Sequence, residues 1–237
     1  MSVNISDVYS KRNEKTLLID LDPQGNATTY LLGEKIGEFD SLDLLQNKKK
    51  IKIEELKKVK ENLYLIPSNP DIKRLVSRKI IGGSVLQNRR KDKQFAQFDK
   101  VIIDTPPSMN SLVNEAICFS DYYLIPTRAE YLSVEGVGQA VDYVRDVIST
   151  TKNISPIFLG VVLNSVDKRR SSFRNFKSEL ENILGDKLFN NSISQLTDIA
   201  EAPFHGKTLS EYNPKGTAFK EVTLLIEEID RKIEEYL

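Results

Sequence analysis

Three stretches of this chain end an apolar run on a polar side chain. In Leu17-Leu18-Ile19-Asp20-Leu21-Asp22-Pro23-Gln24-Gly25-Asn26-Ala27-Thr28, two carboxylates stand two residues apart and a turn containing Pro and Gly follows. In Val101-Ile102-Ile103-Asp104-Thr105-Pro106-Pro107 a single carboxylate closes the run, and the two prolines impose an extended exit. In Gly160-Val161-Val162-Leu163-Asn164-Ser165-Val166-Asp167 the polar group is a carboxamide. Ligands of an open parallel sheet sit beyond the carboxyl ends of its strands, so acidic groups there are placed for a metal ion or a polarised water. A strand-end Asp that holds Mg²⁺ is a recurring part of phosphoryl transfer, and two such ends in one sheet point to a shared magnesium–nucleotide site. A carboxamide both donates and accepts, which suits the edge of a purine. The competing use of a carboxylate in such a turn is to cap a helix, and spacing alone does not separate the two.

These groups need a sheet to hold them. Apolar, β-branched-rich runs recur at Thr16 to Ile19, Leu63 to Ile66, Val101 to Ile103, Tyr122 to Ile125 and Phe158 to Leu163. Strands apolar on both faces belong to a parallel sheet covered on both sides. Helical stretches alternate with them, at Ser111 to Phe119, Val134 to Ser149, Ser171 to Leu184 and Ala218 to Tyr236. The last carries Val222, Leu225, Ile226, Ile229 and Ile233 at helical spacing. Strands alternating with helices imply βαβ units and a single doubly wound α/β domain over residues 1–237, mostly parallel, with helices on both faces. The lysine-rich stretch from Asn47 to Lys60 is expected to be an amphipathic helix with a solvated face. Ile72 to Lys93 is expected to begin helical and continue as a loop through Gly82-Gly83.

Composition narrows the function. The 34 basic residues balance 34 acidic ones, so only a local patch could serve a nucleic acid. One cysteine, Cys118, permits no internal disulfide; among apolar neighbours it is expected to be an inert core thiol in a reducing compartment. One histidine and one cysteine cannot build a closed zinc site. No apolar run approaches the roughly 20 residues of a membrane span, and the first residues lack the pattern of a signal peptide.

Taken together, the motifs resemble those of the ParA/Soj partition ATPases, a deviant Walker A family of the MinD/ParA superfamily. The stretch from Leu18 to Thr28 resembles the segment that follows that family's first helix, and Asp104-Thr-Pro-Pro-Ser its Walker B strand. Ser120-Asp-Tyr-Tyr-Leu-Ile-Pro-Thr-Arg-Ala-Glu-Tyr-Leu-Ser-Val-Glu-Gly looks like the next strand and helix start. Val162-Leu-Asn-Ser-Val-Asp resembles the base-reading strand. Glu201-Ala-Pro-Phe-His-Gly-Lys and the final amphipathic helix resemble the family's C-terminal third. Five motifs in order, over nearly the whole chain, are more specific than any one of them. The resemblance implies a P-loop NTPase-like fold that binds ATP and Mg²⁺. Asp22 would orient the attacking water and Asp104 would hold magnesium through its water shell. Asn164 would read the adenine, with Pro126, Glu201 and Pro203 lining the base pocket. Thr105 to Ser108 would couple the nucleotide to a dimer face. The family implies a homodimer in the ATP state, a ParB-type partner, non-specific DNA and a cytoplasmic, nucleoid-associated life. A MinD-like membrane role is disfavoured, because Ile226 to Leu237 carries five acidic residues against two basic ones.

Two departures from the family follow. Residues 1–237 contain no glycine-rich loop of the Lys-Gly-Gly-x-Gly-Lys-Thr kind, and Ser2 to Lys15 resembles the helix that follows it. A phosphate cradle needs successive N–H groups at a helix N-terminus, a lysine and a hydroxyl, so impaired ATP binding is expected. The strand before that loop would lie centrally in the sheet. Losing about six apolar residues at about 1.5–3 kcal/mol each is comparable with a domain's whole stability of about 5–15 kcal/mol, and predicts poor folding or a gap between strands. A late start codon, a truncation, and a non-catalytic paralogue acting as a regulatory or dimerisation partner all remain open. The second departure concerns DNA. No arginine stands in Ser194 to Asp198, where the family often has them. Lys168, Arg169, Arg170, Arg174 and Lys177, interleaved with Phe173 and Phe176, offer a phosphate-contacting helix instead; the competing reading is a solvated helix start.

Overall fold

The computed structural model describes residues 1–33, 38–47, 50–76, 84–130 and 133–237. In chain order the elements are α1 (Ser2–Lys11), β1 (Thr16–Asp20), α2 (Asn26–Leu32), α3 (Ser41–Gln46), β2 (Lys57–Lys60), β3 (Leu63–Ile66), α4 (Val85–Arg89), β4 (Lys100–Asp104), α5 (Ser111–Phe119), β5 (Tyr122–Thr127), α6 (Ser133–Thr150), β6 (Ile157–Val166), α7 (Ser171–Leu184), β7 (Ile193–Ser194), α8 (Thr197–Glu201), α9 (Leu209–Tyr212) and α10 (Thr217–Glu234). Short 3₁₀ turns occupy Ile53–Glu55, Pro70–Leu75, Phe95–Gln97, Gly185–Lys187 and Ala202–His205. The five expected strands and four expected long helices are all present.

The strands form two ladders. One runs β2-β3-β1-β4 and the other β5-β6-β7. All pairings are parallel except β2 with β3. The mostly parallel α/β architecture is the expected one, and among the described residues no ladder joins β4 to β5. Helices pack on both ladders, and among the described residues β4 and β5 each form an edge of their ladder.

Burial follows the sequence pattern. Every residue of β1 is buried, as an apolar strand covered on both faces must be. One face packs Leu17 and Ile19 against Phe95, Phe98, Phe119 and Leu112; the other packs Leu18 against Val3, Ala27 and Leu65. Helix α10 buries Ala218, Val222, Leu225, Ile226 and Ile229 against Ile5, Val8 and Tyr9 of α1 and Leu159 and Val162 of β6. Helix α1 thus packs on β1 and β4 of one ladder and on α10, which covers the other. Cys118 is buried, as expected, and burial pushes its thiol pKa up.

The lysine-rich stretch corrects a second expectation. It is not a helix. After a 3₁₀ turn, Lys57–Lys60 form an edge strand antiparallel to β3. Ile51 and Leu56 are buried and Val59 packs toward Leu65, an arrangement that α-helical spacing cannot provide. Lysines on an exposed sheet edge also discourage pairing with another chain. Lys60 is not a solvated lysine: its Nζ lies 2.6 Å from the buried Asp7 and 3.1 Å from Glu211. Of the excursion from Ile72 to Lys93, the structure describes the 3₁₀ turn at its start and α4 near its end, while Gly82-Gly83 lies outside the described residues.

Candidate nucleotide-facing site

The carboxyl ends of β1 and β4 stand side by side, with Asp20 and Asp104 in register. Between β1 and α2 the chain turns through Asp22-Pro23-Gln24-Gly25. Gly25 adopts φ 64°, a left-handed conformation that favours glycine, and it is the residue from which α2 starts. This turn decides the fate of Asp20, which ends β1, and of Asp22, which opens the turn.

Asp20 caps. It is fully buried, and its Oδ2 accepts from the Thr28 amide at 2.8 Å and the Thr28 hydroxyl at 2.7 Å. Its Oδ1 accepts from the Asp22 amide at 3.1 Å. Burial pushes its pKa up to about 6 despite these bonds; the neighbouring Asp104 charge pushes the same way. The network extends through Thr28, whose Oγ1 also accepts from the Ser68 amide at 2.8 Å. The Ser68 hydroxyl donates to the Asp22 carbonyl at 2.6 Å. Ser68 follows β3 and was not singled out from the sequence. Its signal was the same as the others, a polar residue just past the end of a buried strand.

Asp22 opens the turn and is buried. Its Oδ1 accepts from the Gln24 amide at 3.0 Å, a bond that orients the carboxylate. Asp104 is half-buried, and its Oδ1 accepts from the Ser2 hydroxyl of α1 at 2.5 Å. The Met1 amino group is buried against the same aspartate; burial lowers its pKa and Asp104 opposes that. Among the described residues no group of three or more His, Cys, Asp or Glu could cage a metal. One or two carboxylates are what Mg²⁺ asks of a protein, since it keeps several waters and takes substrate phosphates as its other ligands. The donor set around Asp104 therefore fits magnesium held through water. The phosphate side does not fit: nothing in residues 1–237 supplies the glycine-rich cradle with its lysine, and the acidic groups oppose a triphosphate.

The base-facing residues lie on the second ladder and its flank. Asn164 is half-buried near the end of β6, beside Ile193 of β7. The next residue, Ser165, has φ 57°, uncommon for a residue with a side chain. Pro126 on β5 is paired with Val162. Glu201 and Pro203 flank the fully buried Ala202, and the turn that follows Glu201 packs against α2. The Glu201 carboxylate accepts from the Tyr212 hydroxyl at 2.6 Å, and His205 stacks on the Tyr212 ring. The structure thus brings Asp20, Asp22 and Asp104 together on the first ladder and Asn164 and Pro126 on the second. It shows no direct bond from Glu201 or Pro203 to either group.

The basic cluster is rearranged relative to expectation. Phe173 and Phe176 do not interleave with the cations on one surface; both are buried against Val161 and Leu163. Helical spacing turns them inward and leaves Arg174 outside. Lys168 is held by Glu221 at 2.7 Å. Arg169 and Arg170 are 91% and 74% exposed, and both reach back to Asp167, whose pKa is lowered chiefly by the Arg169 hydrogen bonds.

The chain as a whole is similar to known proteins. The family model described as an AAA domain matches residues 1–156. The virulence plasmid ParA family protein pGP5-D of Chlamydia psittaci is 30% identical over 237 residues, covering 98% of this chain and 89% of its own. The sporulation initiation inhibitor protein Soj of Bacillus subtilis is 28% identical over 222 residues, covering 90% and 85%. Among solved structures, a putative plasmid partition protein of Borrelia burgdorferi B31 bound to AMPPNP superposes with a TM-score of 0.81 at 24% identity, covering 98% of this chain and 92% of that one. A cobyrinic acid a,c-diamide synthase of Mycobacterium smegmatis with bound ADP and magnesium reaches the same TM-score at 21% identity, covering 100% and 90%. The structural likeness shows the fold, P-loop NTPase-like with a mostly parallel sheet and helices on both faces.

Proposed function

The chain belongs to the ParA/Soj family of AAA-domain proteins, and from that premise we propose that it serves DNA segregation as a ParA-type partition protein. The observation that carries this reading is the pairing of Asp104 and the Asp20–Asp22 turn at the carboxyl ends of neighbouring parallel strands. When bound, ATP with Mg²⁺ would supply a phosphoanhydride and a cation to spread its charge. Asp104 would hold magnesium through its water shell. Asp22, oriented by the Gln24 amide, would position the attacking water. Asn164, Pro126, Glu201 and Pro203 would bound the base. A ParB-type protein, non-specific DNA and a second copy of the chain are the proposed partners, in a cytoplasmic, nucleoid-associated setting.

The same residues limit the activity. Without a phosphate cradle, carboxylates facing a triphosphate repel it, so residues 1–237 are expected to bind ATP weakly. Titration of this chain with a fluorescent ATP analogue and Mg²⁺ tests this directly. No saturable binding below millimolar nucleotide is expected; micromolar affinity would overturn it. A second reading rests on the absence of that loop from residues 1–237. On it, the chain is a non-catalytic member that pairs with an intact relative as a regulatory or dimerisation partner. Co-purification with such a relative, independent of nucleotide, would favour it.

A further inference from the structure

We propose that the cleft between α4 and the C-terminal end of α6 is a docking site for a short acidic peptide segment of a partner protein. The cleft encloses about 1030 Å³. None of Asp20, Asp22, Asp104 and Asn164 lines it. Its residues Lys152 and Asn153 precede β6, at the amino end of that strand, whereas the candidate nucleotide-facing groups stand at carboxyl ends.

The first observation is the chemistry of the lining. Small-ligand pockets of about 300–1,000 Å³ are mostly apolar. This cleft has comparable volume and the opposite character. Its cations are Arg90, Lys91 and Lys152, and its carboxamides are Gln87, Asn88, Asn114 and Asn153. Val147 is its one apolar side chain, and neither a carboxylate nor an aromatic ring lines it among the described residues. Lys91 and Lys152 are exposed and form no ion pair among the described residues. Such a wall calls for an anion, and it offers no ring on which a base could stack.

The second observation is what these groups already hold. The Arg90 guanidinium pairs with the carboxylate of Asp121. The Gln87 carboxamide donates to the main-chain carbonyl of Lys152 at 2.6 Å, from one wall to the other. A carboxylate and a peptide carbonyl are thus the groups that this arginine and this carboxamide take, and an acidic peptide carries both. A carboxamide donates and accepts, so Asn88 and Asn153 suit the N–H and C=O groups of an extended segment.

The third observation is that the walls are fixed in advance. Both α4 and α6 pack on α5. The buried Glu115 of α5 accepts from the Ser84 hydroxyl and from the Leu86 amide at 2.9 Å, which anchors the start of α4. The Tyr143 hydroxyl of α6 donates to Asn114 Oδ1 at 2.6 Å, which leaves the Asn114 NH₂ as the donor on the floor. A guest therefore meets a set of donors that it need not organise. A DNA duplex carries its phosphates on a convex surface, which a cleft of this size does not admit.

The test titrates a fluorescein-labelled Gly-Glu-Glu-Gly-Glu-Glu peptide into the full chain at low salt, without nucleotide, so that its outcome is separate from the ATP reading. Saturable binding by anisotropy is expected, with slowed amide exchange at 87–91 and 150–153. No saturable binding, or slowed exchange elsewhere only, would overturn the proposal. Lys91→Glu with Lys152→Glu should weaken binding at least about tenfold. Lys57→Glu with Lys58→Glu makes the same change of charge on β2 and should stay within about twofold of the native chain. An equal loss in both pairs would show attraction by net charge alone and overturn the site. The peptide with glutamine for every glutamate should not bind, and equal binding would overturn the charge argument. Tripolyphosphate and a short DNA duplex, used as unlabelled competitors, should each need at least about ten times the concentration of unlabelled peptide for the same displacement. Displacement by either at the peptide's own concentration would show a general anion or nucleic-acid surface and overturn the peptide assignment.

Discussion

Replacing Asp20 by asparagine should reverse the sign of its effect on stability between acid and neutral pH. The native carboxyl titrates near pH 6, against an ordinary 3.8, because it is buried. The native state therefore holds its proton more tightly than the unfolded state does. Stability falls as pH rises through the window from about 4 to 6, and the burial of the charge costs about 3 kcal/mol above it. Asparagine has the same shape and no charge to bury. It keeps one acceptor, but its amide nitrogen must face a backbone donor, Asp22 or Thr28, that Asp20 now satisfies. That loss is independent of pH and costs about 1–2 kcal/mol. The variant should thus be less stable by about 1–2 kcal/mol near pH 4 and more stable by a similar amount near pH 7.5. Urea unfolding followed by far-UV circular dichroism suits a chain with no tryptophan. A stability difference constant within about 0.5 kcal/mol over that range would refute the reasoning, and would mean that the three hydrogen bonds, not burial, set the pKa.

Gly160 adopts φ 142° in β6, and a Cβ built there would lie 2.1 Å from the Lys187 carbonyl oxygen. Gly160→Ala should cost more than about 3 kcal/mol in urea unfolding, whereas Gly138→Ala, with open space inside α6, should stabilise by up to about 1 kcal/mol. Thr28→Val removes the hydroxyl shared by Asp20 and the Ser68 amide, and should lower stability by about 2 kcal/mol, read as a lower urea midpoint at unchanged m-value. Replacing Arg169 and Arg170 together by alanine should weaken non-specific DNA binding and reduce the salt slope by about 1–2, measured by fluorescence anisotropy; unchanged affinity at low salt would remove this patch from the DNA surface.

The architecture was legible because its signals are local. Buried runs such as Leu17 to Ile19 and Val161 to Leu163 announce covered parallel strands, and the spacing of Val222, Leu225, Ile226 and Ile229 announces a helix with one buried stripe. The edge strand Lys57–Lys60 was not legible. Its lysines mask a two-residue alternation only four residues long, and its partner β3 is what makes it a strand. The same limit applied to Phe173 and Phe176. They read as companions of the arginines around them until the packing of α7 on β6 turned them inward.

For the site, residue types were legible and their division of labour was not. Asp20 and Asp22 are two residues apart on a run that ends between them, so they would share a face only if the strand continued. It does not: Gly25 turns the chain back and delivers the Thr28 amide and hydroxyl to Asp20. One carboxylate is consumed as a cap, and the other is left with a single oxygen engaged. The choice between cap and ligand is made by which donors the turn brings within 3 Å, and Ser68, 40 residues beyond Thr28, completes that shell. Sequence spacing can nominate such carboxylates. Only the tertiary donors decide between them, and here they enclose Asp20 with three hydrogen bonds and reach Asp22 with one.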